Sequence, residues 1–183
     1  MAAIKIAIVA MNELGIIGVN GALPWRIKEE MRHFRTATDD SVVLAGSKTY
    51  FSIDKKYRPL ENRVNIVLTR NSIKRPILEQ EGSYACSSLE KGLELAGTFD
   101  KDKIFFIGGG MIYEQALLKN LVDELWISQV NFYVDLSDKT NKEITYFPDF
   151  PKEDWQEYDR QKRNQFEVVK YHKKIICQNV NPQ

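Results

Sequence analysis

A chain of 183 residues, 43% of them hydrophobic, can bury one substantial core but is short for two, so residues 1–183 are read as one domain. Its 26 basic and 25 acidic residues leave a formal charge of +1, which provides no global field for nucleic acid, an anionic membrane or an acidic protein. No apolar run approaches the roughly 18 residues of a membrane span, and the N-terminus enters a strand-like stretch without a signal segment, so a cytoplasmic protein with a small-molecule partner is expected.

Along the chain, "IKIAIVAM" (4–11) is the first strand-like run and residues 26–37 the first helical pattern. Strand patterns follow at 41–46, 63–69, 83–87, 103–109, 123–132, 155–162 and 166–176, making eight. Helical patterns lie near 47–53, at 88–97 and at 111–121, and residues 133–147 read as a polar loop or extended excursion. Strands alternating with helices imply right-handed crossovers and a parallel sheet, whereas the last strands follow one another and pair antiparallel. The expected class is therefore α/β: an eight-stranded mixed, mostly parallel sheet, about four flanking helices and a C-terminal antiparallel hairpin. Cys86 and Cys177 have neither metal-ligand spacing nor a disulfide framework and read as small buried thiols, so no metal site is expected. His33 and His172 stand in charged stretches expected to be solvated, which argues against a histidine-based hydrolase.

Two adjacent carboxylates open the 26–37 helix. At about 100° per residue, Ile27, Met31, Phe34 and Thr38 form an apolar stripe, with Glu30 on its flank and Glu29 opposite. Glu29 is then solvated charge, and Glu30 presses toward apolar neighbours, where desolvation raises a carboxyl pKa. The competing reading is a Glu30 that leaves the edge of the stripe or pairs with Arg26 or Lys28.

Three strand ends carry anion-binding chemistry. In "IFFIGGGMIYEQAL" (104–117), glycines at a strand-to-helix turn let backbone amides approach a pyrophosphate, although Tyr113 stands where a Rossmann fingerprint needs glycine. In "VVLAGSKTYFSI" (42–53), Gly46, Lys48 and Thr49 repeat the pattern without forming a Walker loop. The strand "RVNIVLTRN" ends in Thr69 and Arg70, a hydroxyl and a guanidinium that suit a 2′-phosphate, and hence NADP(H) over NAD(H).

Together "IIGVNGALPW" with a carboxylate five residues after Trp25, "GSKTYFSI", "PLENRVNIVLTR" and "IGGGMIY" resemble the dihydrofolate reductase family through most of the chain. The resemblance implies NADPH-dependent reduction of dihydrofolate, with antifolates as further ligands. It assigns Glu30 as the acid that holds the pterin and supports its protonation, Trp25 as the holder of a water, Ser128 as the hydroxyl beside the acid, and Leu23 as the tip of a mobile loop from Met11. Ile8, Val9, Ala10, Phe34 and Ile107 would surround the pterin, Ile53 and Leu60 the benzoyl group, and Arg63 would pair with the glutamate α-carboxylate. For the cofactor it implies Ala10, Ile17 and Gly18 near the nicotinamide, and Gly46, Ser47, Lys48 and Thr49 at the pyrophosphate. It further implies Leu68, Thr69 and Arg70 at the 2′-phosphate, and Ile107, Gly109, Gly110, Met111, Ile112 and Tyr113 around the pyrophosphate and ribose. The Gly108–Gly109 peptide is expected to be cis. Met111 stands where some relatives carry a phosphate-binding arginine and Ser47 where many carry a basic residue, and Glu143 or Ile144 replaces an aspartate that steadies the mobile loop in some. The rivals are a pyrimidine reductase of riboflavin synthesis, which would lack the Pro24-Trp25, Glu30 and Arg63 combination, and a non-catalytic nucleotide-binding module.

Overall fold

The computed structural model describes residues 2–138, 140 and 143–174, so Cys177 and the end of the last expected strand lie outside the described residues. The first half of the chain forms β1 (Ile4–Met11), β2 (Ile16–Val19), α1 (Lys28–Ala37), β3 (Ser41–Gly46), α2 (Ser47–Ser52), β4 (Arg63–Leu68) and α3 (Lys74–Gln80). The second half forms β5 (Tyr84–Cys86), α4 (Leu89–Ala96), β6 (Lys103–Phe106), α5 (Gly110–Leu118), β7 (Glu124–Val130), β8 (Ile144–Tyr146), β9 (Trp155–Lys162) and β10 (Phe166–Lys173).

The eight expected strands make one sheet in the order β5-β4-β3-β6-β1-β7-β10-β9. From β5 to β7 every neighbouring pair is parallel, and β10 runs antiparallel to both β7 and β9. The expected mixed sheet and C-terminal hairpin are therefore present. Two features differ from expectation. The 133–147 excursion contains β8, which pairs antiparallel with β2 in a separate two-stranded sheet. Strands of four and three residues are too short for alternation to mark them, and their pairing depends on a distant partner. Among the described residues the α-helices number five, because α3 was missed. Its Pro76 is tolerated in the first turn, but Ile73 and Ile77 stay exposed and Leu78 is its one buried residue, so its apolar stripe is weak.

The strand pleat sorts the core into two layers. Ala7, Val9, Val42, Leu44, Ile66 and Phe106 face one way, under α4 and α5. Ile6, Ile8, Val43 and Phe105 face the other way, with Phe34 and Ala37 of α1 packed on them. Tyr50 of α2 and Leu78 of α3 close the same layer farther along, over Val67. Because the strands are parallel, the carboxyl ends of β1, β3, β4 and β6 open on one edge, where α/β proteins build ligand sites.

Candidate active site

The helix α1 buries a different arc from the expected one. Glu30 is 7% exposed, whereas Met31, 47% exposed, stands at the rim. The buried or half-buried residues are Ile27, Glu30, His33, Phe34, Ala37 and Thr38, which centres the arc nearer Glu30 and turns Met31 to its edge. Sequence reasoning also placed His33 in solvent. It is instead half-buried near the Phe166 ring, and burial, aided by Lys170 and Arg163, lowers its pKa. His172 is half-buried too, its ring against Tyr158.

Burial raises the Glu30 pKa, and a hydrogen bond from the Ser128 side chain opposes part of the rise. As the third residue of α1, Glu30 also sits where free amides favour a carboxylate, yet desolvation dominates. Ser128 is fixed in the middle of the sheet, opposite Ala10 on β1 and Val168 on β10, and is 2% exposed. Trp25 packs beside the acid's helix with Ile27, Val130, Phe166, Val168 and Ala10, and its buried Nε1 finds no acceptor among the described residues.

Several of the expected substrate residues lie together on the α1 side of the sheet. Ile8, Phe34, Leu60 and Ile107 share one apolar cluster. Val9 belongs to the opposite layer, so the pleat turns its side chain away. Ile53 is half-buried just past α2. Leu60 and Arg63 are held by Asn65, whose Oδ1 accepts from the Leu60 amide at 2.9 Å and whose Nδ2 donates to the carbonyls of Leu60 and Arg63, both at 2.9 Å. Arg63 donates from Nε to the Glu61 carbonyl (2.8 Å) and from Nη1 to Thr38 Oγ1 (3.1 Å), leaving its other guanidinium donors for a ligand.

At the carboxyl edge of the sheet the two glycine turns meet. The Gly46 amide donates to the Gly108 carbonyl at 2.7 Å, and the Gly108–Gly109 peptide is cis, as expected. A Cβ on Gly109 would lie 3.0 Å from Thr49 Oγ1, and one on Gly110 3.1 Å from Thr145 Cγ2, so a side chain at either would press on its neighbour. Thr145 belongs to β8, and a Cβ on Gly18 would meet it as well, so the 11–23 loop, the excursion and the glycine turn converge there. The Asn20 amide donates to the Glu143 carbonyl at 2.7 Å, which ties the loop to the excursion. Ile17 packs on the α4/α5-side core, and Leu23 is exposed.

The residues expected at the cofactor divide by position. Ile112 is buried and Met111 exposed. Thr69 is buried, and its Oγ1 accepts from the Asn71 amide at 3.1 Å, while Arg70 is exposed and Leu68 is half-buried against the core. Lys48, expected on a pyrophosphate, ion-pairs with Glu143 at 3.4 Å. Tyr113, expected around the ribose, is buried and donates its hydroxyl to the Ile8 carbonyl at 2.7 Å, bringing it within electrostatic reach of Glu30. Sequence reasoning missed Lys74, whose Nζ lies 3.5 Å from Ser47 Oγ. Gly108 has φ +103°, and its Cβ would stand 3.1 Å from the Tyr113 ring. Gly108→Ala is therefore expected to cost about 2 kcal/mol, read as a lower urea midpoint.

Tyr113, its ring close to Gly108 and its hydroxyl within electrostatic reach of Glu30, links a glycine-rich strand-to-helix turn to a desolvated carboxyl in an α/β protein, an arrangement that suits an enzyme acting with an anionic nucleotide. The dihydrofolate reductase family profile matches residues 4–178. Dihydrofolate reductase of Candida albicans is 31% identical over 170 residues, covering 89% of this chain and 84% of that protein. That of Heliothis virescens is 32% identical over 173 residues, covering 88% of each. Dihydrofolate reductase type 3 of Salmonella typhimurium is 35% identical over 153 residues, covering 84% of this chain and 83% of that protein. The chain belongs to the dihydrofolate reductase family.

Proposed function

We propose that the protein, a cytoplasmic one-domain monomer, reduces 7,8-dihydrofolate to 5,6,7,8-tetrahydrofolate with NADPH, with Glu30 as the acid of the site. Reduction of dihydrofolate by a nicotinamide-dependent oxidoreductase follows from the family. The observation that carries the finer reading is Glu30 itself: a carboxyl 7% exposed, hydrogen-bonded to Ser128 and set beside the Phe34 and Ile8 cluster. The glycine turns, which keep the backbone bare where neighbours crowd close, together with Ser47, Lys48, Thr49, Thr69 and Arg70, suit an anionic dinucleotide. When bound there, NADPH supplies the hydride that C6 of the pterin receives.

The chain's own groups orient and protonate. Glu30 would accept from N3 and the 2-amino group of the pterin, with Ser128 holding the carboxyl in place. Trp25 Nε1, a buried donor without a protein acceptor among the described residues, would hold the water through which a proton reaches N5. Phe34 would pack on the ring. The Ile8 carbonyl retains one lone pair beyond the Tyr113 hydrogen bond, and with the Ile107 carbonyl it would face the ring's 4-position. Leu60 and Ile53 would contact the benzoyl group, and Arg63 the glutamate α-carboxylate. Mixing the protein with NADPH and dihydrofolate should deplete the reduced-nicotinamide absorbance only when both are present. No depletion would remove the proposal.

A further inference from the structure

We infer that Lys74 is a specificity-determining residue of the nucleotide site: its ammonium binds a phosphate monoester on the nucleotide and so selects a 2′-phosphorylated coenzyme over one with a free 2′-hydroxyl. The inference rests on the reductase reading above and adds a residue to it. Sheet register brings the parts together. Gly46 on β3 pairs with Leu68 on β4, and Leu68 with Cys86 on β5. The next residues, Ser47, Thr69 and Ser87, therefore stand side by side at the carboxyl edge, about 4.8 Å apart from strand to strand.

The chain after β4 then folds back on itself. The Asn71 amide donates to Thr69 Oγ1 (3.1 Å), the Ile73 amide to Asn71 Oδ1 (2.9 Å) and the Lys74 amide to the Asn71 carbonyl (3.2 Å). That turn returns the half-buried Lys74 to the strand ends, with Nζ 3.5 Å from Ser47 Oγ and 5.2 Å from the centre of the Phe51 ring. Its contacts are a neutral hydroxyl and a ring face, and no carboxylate among the described residues forms an ion pair with it. Lys48, one residue past Ser47, differs, because Glu143 partly neutralises it. Arg70 follows Thr69, and Arg75 and Lys91 both act electrostatically on the buried Cys86 of β5. Cations thus collect around three hydroxyl-bearing strand ends. A phosphate monoester, near a dianion at neutral pH, gains charge-assisted hydrogen bonds there that a ribose hydroxyl cannot match.

The test measures dissociation constants for NADPH and NADH by quenching of protein fluorescence, so it does not depend on turnover. Lys74→Gln should weaken NADPH roughly tenfold or more while NADH binding moves less than about twofold, and Lys74→Arg should retain most of the NADPH affinity. Higher salt should erode the preference of the wild-type protein more than that of Lys74→Gln. Equal weakening of both coenzymes, or an unchanged NADPH constant in a folded Lys74→Gln protein, would overturn the assignment. A wild-type protein that prefers NADPH in binding but does not turn over dihydrofolate would sink the reductase reading, and the same constants would still decide the role of Lys74.

Discussion

Glu30→Gln is expected to lower turnover of dihydrofolate roughly a hundredfold or more near neutral pH while leaving NADPH affinity within a fewfold of the wild type. The glutamine amide fills the same space and can still hydrogen-bond Ser128, but it neither accepts two pterin donors as a carboxylate does nor takes up a proton. The pH profile separates this role from a packing role. Burial raises the Glu30 pKa, so the wild-type rate should fall as pH climbs through that raised value, whereas the residual rate of the variant should be flat there. A variant matching the wild-type rate across pH would strip Glu30 of its role.

Stability should move the other way. Because the folded pKa lies above the unfolded one, the contribution of Glu30 to stability is complete below the unfolded pKa and is lost as pH rises through the folded pKa. Above that window the native state holds an ionised carboxylate that burial disfavours. Glu30→Gln removes this cost and is expected to show a urea midpoint at or above that of the wild type at alkaline pH. A lower rate together with a firmer fold in Glu30→Gln is the trade expected if the residue serves function at a cost in stability.

Glu30 was legible because a single residue step on α1 rotates it by about 100° from Glu29, toward the apolar face. The true arc was less so: whether Met31 or His33 completes it depends on which layer of the sheet meets the helix, and a single helix does not record that. The eight sheet strands were visible as β-branched runs such as "SVVLAG" and "RVNIVL". By contrast, β2 and β8 stabilise each other across more than a hundred residues and carry little pattern of their own. Tyr113 shows the same limit. Its place after three glycines pointed to the nucleotide, but its hydroxyl ends on the Ile8 carbonyl, 105 positions away, a contact made by the β1–β6 pairing rather than by local sequence. Lys74 sits in a turn built from Thr69 and Asn71 side chains, ahead of a proline that hides the helix it begins.

Arg63→Leu is expected to raise the KM for dihydrofolate roughly a hundredfold with a much smaller change in kcat. The guanidinium is half-buried, and that burial lowers its pKa. Nε and Nη1 are already committed to the Glu61 carbonyl and Thr38 Oγ1, which fixes the plane of the group and leaves outer donors for a carboxylate. Removing it should cost the fold little, since Thr38 Oγ1 also donates to the Phe34 carbonyl at 2.8 Å and Asn65 continues to hold the 60–65 turn. The loss should therefore fall on ligand binding. Arg63→Lys should recover only part of it, because an ammonium cannot make the paired contact of a planar guanidinium. A dihydropteroic acid amide, which ends in an uncharged benzamide, gives the sharpest comparison: wild type and Arg63→Leu should bind it alike, since it carries no carboxylate for the guanidinium to pair with. If Arg63→Leu weakened both substrates equally, the residue would be shaping the Leu60 pocket rather than gripping the carboxylate.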